Sequence, residues 1–353
     1  MIHTEHLEAL GSQYLDPYVS LSKLREFSKD DVKFEKNYIL GDWDDFTDSE
    51  AMIIGSALHR GLEKWYTGEA NTYNQVVAII SEFVEDYPEE RMKETVNREQ
   101  TKKNAVSVFY MISEYLPEFD EVELAEKSIT TGWTHVDGRE AILPVNGVID
   151  IAGVDGDVTF VGDWKSTNSF TENLTDNPSY VIQAVIYYIL YTSYRQSQGY
   201  TGEDCTPDEF RVYELKKTKS LTEVYYLQDC SQPKAKAGEI KPYQGKKFEE
   251  LQEQGVFELY NKEPQVQELK FVYEDNLWAF QVVDFMLKAL IVNVAMEKRY
   301  PIPNFGDFMD GKETWDWYLK QFAEYYQDFK LPQLNEDYEA VRTARNDKDS
   351  III

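Results

Sequence analysis

The chain has 353 residues, with 64 acidic against 36 basic side chains and a formal net charge of −28. That balance speaks against indiscriminate coating of nucleic acid, where Lys and Arg must neutralise phosphates, and the 25 Tyr and 18 Phe speak against disorder. Two cysteines, Cys205 and Cys230, without C-x-x-C spacing or a companion histidine pair leave a disulfide framework or a zinc site unsupported.

No Gly/Ser or Pro-rich linker divides the chain, so residues 1–353 read as one elaborated domain. Its expected parts are a helical segment 1–117, a core 118–230, and a basic loop with a helical part over 231–353. Apolar positions at i, i+3 and i+4, such as Val76, Ile79, Ile80 and Phe83, predict helices at about 20–28, 50–67, 72–86 and 91–115. Strands are predicted at 121–133, 139–153 and 157–165, the last two forming a hairpin across the Asp155-Gly156-Asp157 turn. A helix opening on Pro178 should run to about Arg195. Strands at 210–216 and 221–228, joined by a Lys-Lys-Thr-Lys turn, would complete a mixed sheet. From Phe248 onward the chain reads as helical, most clearly over 276–298 and 314–329, with a polar, frayed tail at 343–350. No apolar run is expected to reach membrane-spanning length, and no basic-then-apolar leader opens the chain.

The chemistry concentrates in the hairpin. Asp150 closes Gly147-Val148-Ile149-Asp150, and Asp163-Trp164-Lys165 follows on the next strand. Carboxylates inside apolar strands are costly to bury unless they bind something, and a hard cation such as Mg²⁺ or Mn²⁺ takes oxygen ligands of this kind. Lys165 leaves the strand on the same face as Asp163, where it can orient or deprotonate a water. A lone D-x-K is more often a turn-flanking acid and a solvated lysine; the wider constellation decides. Gln183 and Tyr187 lie one helical turn apart and can point together at the strand ends or at a phosphate.

These pieces resemble the PD-(D/E)xK nucleases, and within them the RecB-type exonuclease branch that includes CRISPR adaptation nucleases and phage recombination nucleases. The resemblance covers roughly residues 18–190. Tyr18 to Leu24 is similar to the serine-containing helix start, Gly55 to Glu63 to the G-x-x-x-H helix, and Gln183 to Tyr187 to the Q-x-x-x-Y helix. It implies an α+β, restriction-endonuclease-like core, a mixed central sheet flanked by helices, with helical N- and C-terminal elaborations. It further implies that His59, Asp150, Asp163 and the backbone carbonyl of Trp164 hold Mg²⁺ or Mn²⁺, while Asp150, Asp163, Lys165, Gln183 and Tyr187 serve catalysis. Glu63, one turn beyond His59, either supports it or is solvated, and Glu126 resembles a glutamate of the first core strand.

Many relatives carry a four-cysteine iron–sulfur cluster. Here Arg299 to Asn304 resembles the lead-in, but Phe305 to Trp315 holds no cysteine, so no cluster is expected. The implied activity is exonucleolytic hydrolysis of linear DNA in recombination or repair, phage-encoded or bacterial and cytoplasmic, alongside a helicase or annealing protein and without a membrane. Between Arg211 and Lys247 nine basic residues face four acidic ones, a candidate DNA track or a solvated loop. Two other readings stand beside it: a silent nuclease fold that only binds DNA or assembles, and an acidic scaffold.

Overall fold

The structure is a computed structural model that describes residues 18–349 except 43–46, 219–221, 232–233, 244–246, 297–299, 301, 304, 310–312 and 329. A mixed sheet forms its centre. The strands are β1 (Val19–Ser20), β2 (Glu121–Thr131), β3 (Val145–Asp155), β4 (Val158–Thr167) and β5 (Glu209–Lys216). A further strand, Val266–Val272, runs antiparallel to β5 at the sheet edge. β4 and β5 are parallel, joined by the helix Pro178–Ser197.

β2 pairs with β3 along nearly its whole length, from Glu121 opposite Val154 to Thr131 opposite Val145. The other edge of β3 is therefore shared: β1 takes Val145 and Asn146, and β4 takes Ile151 to Asp155. Residues 147–150 between them have no strand neighbour on that edge among the described residues. The sheet opens where Gly147-Val148-Ile149-Asp150 lies.

Helices cover both faces. They form two groups, with α1 (Leu21–Lys29), α5 (Pro178–Ser197) and α6 (Trp278–Met296) on one face and α2 (Glu50–Tyr66), α3 (Tyr73–Glu85) and α4 (Arg98–Ile112) on the other. The α2–α4 group packs on Ile151, Phe160, Trp164, Tyr213 and Leu215. The α1, α5 and α6 group packs on Ile149, Ala152, Val161, Phe210 and Val212, with α7 (Trp315–Gln327) and α8 (Lys330–Asp349) outside. This is an α+β fold with a central mixed sheet between helical layers, of the restriction-endonuclease-like kind.

Several expectations need correction. The fourth helix starts at Arg98 rather than residue 91, because Asn97 caps it by accepting from Gln100 N and Met92 instead bridges Asp48. β3 starts at Val145, after Pro144, which has no N–H to give a ladder. The predicted strand 221–228, observed as β6 (Thr222–Tyr226), leaves the central sheet and pairs with β7 (Ile240–Pro242) and β8 (Phe257–Lys262) over a separate core of Val224, Tyr226, Tyr243 and Phe257. Residues 257–272 are thus mostly strand, not helix, and β9 (Val266–Val272) takes the edge position beside β5. The polar stretch 343–349 continues the helix α8. α6 is long and apolar enough to cross a membrane by length and composition, contrary to expectation, but is mostly buried against α5 and α8.

Candidate metal centre

The opening in the sheet is where the acidic residues meet. Trp164 N–H, freed from ladder pairing with β3, donates to Asp150 Oδ2 at 3.0 Å. The Trp164 ring points away into the core, stacked on Tyr66 at 5.3 Å, so only its backbone reaches this region.

α2 delivers His59. Gly55, one turn earlier, has a space in which a Cβ would sit 3.2 Å from Ser166 Oγ, so the absence of a side chain lets α2 close on the end of β4. His59 Nδ1 lies 3.2 Å from Glu126 Oε1 and 3.3 Å from Asp150 Oδ2. His59, Glu126 and Asp150 offer ligand atoms all within 4.8 Å of one another. Glu126 faces Asp150 across the β2–β3 ladder, and at φ 48° it is the one non-glycine residue with positive φ among the described residues. That conformation costs on the order of 1–2 kcal/mol for an L-residue. Strain retained at a ligand-bearing position fits a site held together by something the carboxylates bind.

α5 supplies the other wall. A Cβ on Gly147 would stand 2.7 Å from Leu190 Cδ1, so this helix lies close on β3. From it, Gln183 Nε2 donates to Asp163 Oδ1 at 2.6 Å, while the Tyr187 hydroxyl lies 3.3 Å from both Asp150 Oδ1 and Asp163 Oδ1. Gln183 and Tyr187 therefore aim at the carboxylates, not outward at a phosphate. Lys165 Nζ is 2.5 Å from Asp163 Oδ2, on the shared strand face expected of a D-x-K pair.

The electrostatics are those of a site short of positive charge. Burial, reinforced by the charge of Asp163 and opposed by His59, pushes the Asp150 carboxyl well above the ordinary carboxylate range. Burial disfavours charging His59, yet Asp150, Glu126 and Asp163 outweigh it and raise its pKa to about 9. Burial and then the two aspartates likewise push the Tyr187 phenol up. Gln183 Oε1 is a buried oxygen outside any hydrogen-bond geometry, and buried Asp163 Oδ2 has the ion pair with Lys165 but no hydrogen bond of good geometry. Three carboxylates, an imidazole and a backbone strand end, with the Lys165 ammonium beside Asp163, fit a divalent metal.

Strand and helix spacing for Asp150, Asp163, Lys165, Gln183 and Tyr187, and the family resemblance for His59 and the Trp164 backbone, pointed to one site, and the structure places these groups together. Glu126, which the sequence offered only through its resemblance to a glutamate of the first core strand, joins them beside His59 and Asp150. Glu63 points elsewhere, paired with Arg60 and with Lys64 at 3.2 Å. The candidate basic track is partly neutralised: Arg211 is buried against Asp155 and Glu209, and Lys216, Lys241 and Lys247 pair with Glu263, Glu239 and Glu250. Lys219 and Lys246 lie outside the described residues.

Comparison with known proteins agrees with this geometry. A family model described as the PD-(D/E)XK nuclease superfamily matches residues 18–269, and the chain belongs to that superfamily. No curated protein matches the chain. Among solved structures, a chain titled "Crystal structure of SSO0001" matches at 12% identity and a TM-score of 0.21, over 49% of this chain and 64% of that one. This chain thus spans just under two thirds of that chain's length, and figures this low add nothing to the fold assignment.

Proposed function

We propose that the protein is a Mg²⁺- or Mn²⁺-dependent deoxyribonuclease, an exonuclease of the RecB-type branch acting on linear DNA in recombination or repair. Asp150, Asp163, Glu126, His59 and the Trp164 carbonyl hold the ion, and the imidazole nitrogen in that set favours Mn²⁺ over Mg²⁺. The bound metal supplies Lewis acidity toward a phosphoryl oxygen and lowers the pKa of a coordinated water.

The protein groups do the remainder. Lys165, fixed beside Asp163, orients the attacking water and stabilises charge building on the phosphoryl oxygens. Gln183 and Tyr187 are positioning residues: they hold the Asp163 and Asp150 carboxylates in one orientation, as outer-shell donors do for metal ligands. Water oxygen bonds to phosphorus, the phosphorus–oxygen bond to the leaving sugar breaks, and the proton released by the water ends on the leaving oxygen.

The observation that carries this reading is the meeting of two buried aspartates and Lys165 at the gap between β3 and β4. With two cysteines in the sequence, the chain by itself has too few thiolates for a four-cysteine iron–sulfur cluster, and we include its absence in the proposal. DNA as substrate, a cytoplasmic setting and a helicase or annealing partner come from the family resemblance.

The test is a time course on linear and circular DNA, single- and double-stranded, with each metal, comparing wild type with Lys165→Ala. Loss of linear DNA by wild type alone, with closed circles surviving, is the expected result. Equal inertness of both proteins with both metals would transfer the reading to a silent DNA-binding or assembly role.

A further inference from the structure

Arg25 lies on α1, half-buried, in an open groove of about 440 Å³ that it lines with Ser20, Ser22, Tyr38, Asn146 and Val148. The groove runs along the unpaired edge of β3, directly ahead of Asp150. Arg25 forms no hydrogen bond or ion pair with any described residue, and the charges that reach it are those of Asp163, Tyr180 and Glu26.

A guanidinium with five donors and no hydrogen-bonding partner among the described residues is an expense for a fold: burial disfavours the charge, and the fields of Asp163, Tyr180 and Glu26 offset this only in part. Its planar fork matches a phosphate, which it can take with two parallel N–H bonds. One further donor stands in the same groove, since Ser20 Oγ and Ser22 Oγ hydrogen-bond to each other at 3.0 Å and the pair keeps one hydroxyl hydrogen to give at the opening. The exposed Val148 and the Tyr38 ring give the groove apolar walls against which a sugar or base can rest.

We propose that this groove seats the phosphate next to the scissile one on the strand being cut, with Arg25 as its principal anchor and Ser22 as a second donor. The inference rests on the nuclease reading above and names how that site grips its substrate. Placing the anchor on α1 and the metal ligands on β2, β3, β4 and α2 makes substrate registration separable from the chemistry.

The experiment measures binding of a fluorescein-labelled single-stranded oligodeoxynucleotide by fluorescence anisotropy in Mn²⁺ at several salt concentrations. The parent is Lys165→Ala, which keeps the DNA intact; Arg25→Met, Arg25→Lys and Ser22→Ala are added to it, and each melting temperature is recorded. Expected are about tenfold weaker binding for Arg25→Met and a salt slope smaller by about one phosphate contact. Arg25→Lys should restore the slope but only part of the affinity, and Ser22→Ala should weaken binding severalfold. Arg25→Met should melt at or above the parent temperature, because it removes an unpaired, half-buried charge and keeps the stem. Unchanged affinity and slope in Arg25→Met would overturn the proposal, as would a marked fall in its melting temperature, which would make Arg25 structural. A parent that binds no DNA would remove the nuclease reading itself.

Discussion

His59 links the acid–base behaviour of the protein to its metal. Its pKa lies at about 9 instead of 6.5, so in the metal-free protein the folded state holds a proton that the unfolded chain releases. A raised pKa contributes stability that is complete below 6.5 and is lost as pH climbs through about 9. The raised Asp150 carboxyl acts with the same sign over its own, lower window, from 3.8 upward. Chelated protein should therefore lose on the order of 2–3 kcal/mol between pH 6.5 and 9 from His59. Melting curves across that range test this against Glu126→Gln, which removes a partner that raises His59 and should flatten the decline. Identical slopes in the two proteins would show that the imidazole is not what the pH is reading. Bound metal replaces the proton, so its affinity should rise over the same window.

At the scale of elements, the helix that carries Gln183 and Tyr187 is held in place by a buried acid outside the site. Glu214, on β5, accepts from Thr171 N at 2.7 Å, Thr171 Oγ1 at 2.6 Å and the Tyr180 hydroxyl at 3.1 Å. It ties the connection from β4 to the first turn of α5. Glu214→Ala would leave these donors without partners and should cost about 3 kcal/mol, read from the denaturant midpoint, with Glu214→Gln costing less. A loss under about 1 kcal/mol would mean the connection is anchored elsewhere.

The sequence made much of this layer readable. α2, α3 and α7 show helical spacing along one face, α3, α5 and α7 begin at the capping side chains of Thr72, Asn177 and Thr314, and Pro178 marks the first turn of α5. The hairpin of β3 and β4 was readable because both strands are apolar around a strong turn. Residues 257–272 were not, since Glu258 to Lys262 is almost wholly exposed and shows no buried face to betray its period. Glu126 was only faintly readable, because the feature that sets it apart is a backbone angle. Arg25 gave no signal at all: an arginine on an amphipathic helix is ordinary until its partners can be counted.

For the molecule as a whole, the C-terminal helix is fastened by charge. Arg139 reaches Asp137, Glu339 and Asn335; Lys288 reaches Asp137 at 2.6 Å and Asp284 at 3.2 Å; and the Tyr338 hydroxyl donates to Glu140 O at 2.7 Å. The Arg139 guanidinium beside Asp137, with Lys288, holds that carboxyl far below its usual range. Burial pushes Asp284 up, but His135 and Lys288 prevail and lower it. Lowered carboxyl pKa values contribute stability above 3.8 that is lost as pH falls through the folded-state values. Acidification from about pH 4 downward should therefore loosen α8 before the sheet. Hydrogen exchange compared at about pH 3 and pH 6 checks this, with amides around Leu334, Tyr338 and Val341 losing protection ahead of those in β3. Simultaneous loss in both would mean that α8 and the sheet open as one unit.

The small sheet of β6, β7 and β8 departs and returns at a single point. Lys216 N donates to Gln265 O at 3.0 Å, Gln265 Nε2 donates back to Lys216 O at 2.6 Å, and Leu215 faces Val266 across the ladder. In topological terms, residues 217–264 are an oversized hairpin tip with a core of their own, spliced into the antiparallel turn that joins β5 to the sheet edge. A graft at that point has its ends already in register. Replacing 217–264 by an Asn-Gly turn should yield a shorter protein whose central sheet folds and whose metal ligands meet unchanged, read as retained Mn²⁺-induced stabilisation. The fold thereby carries a built-in cassette position, where cargo can be exchanged without renegotiating the architecture that surrounds the metal.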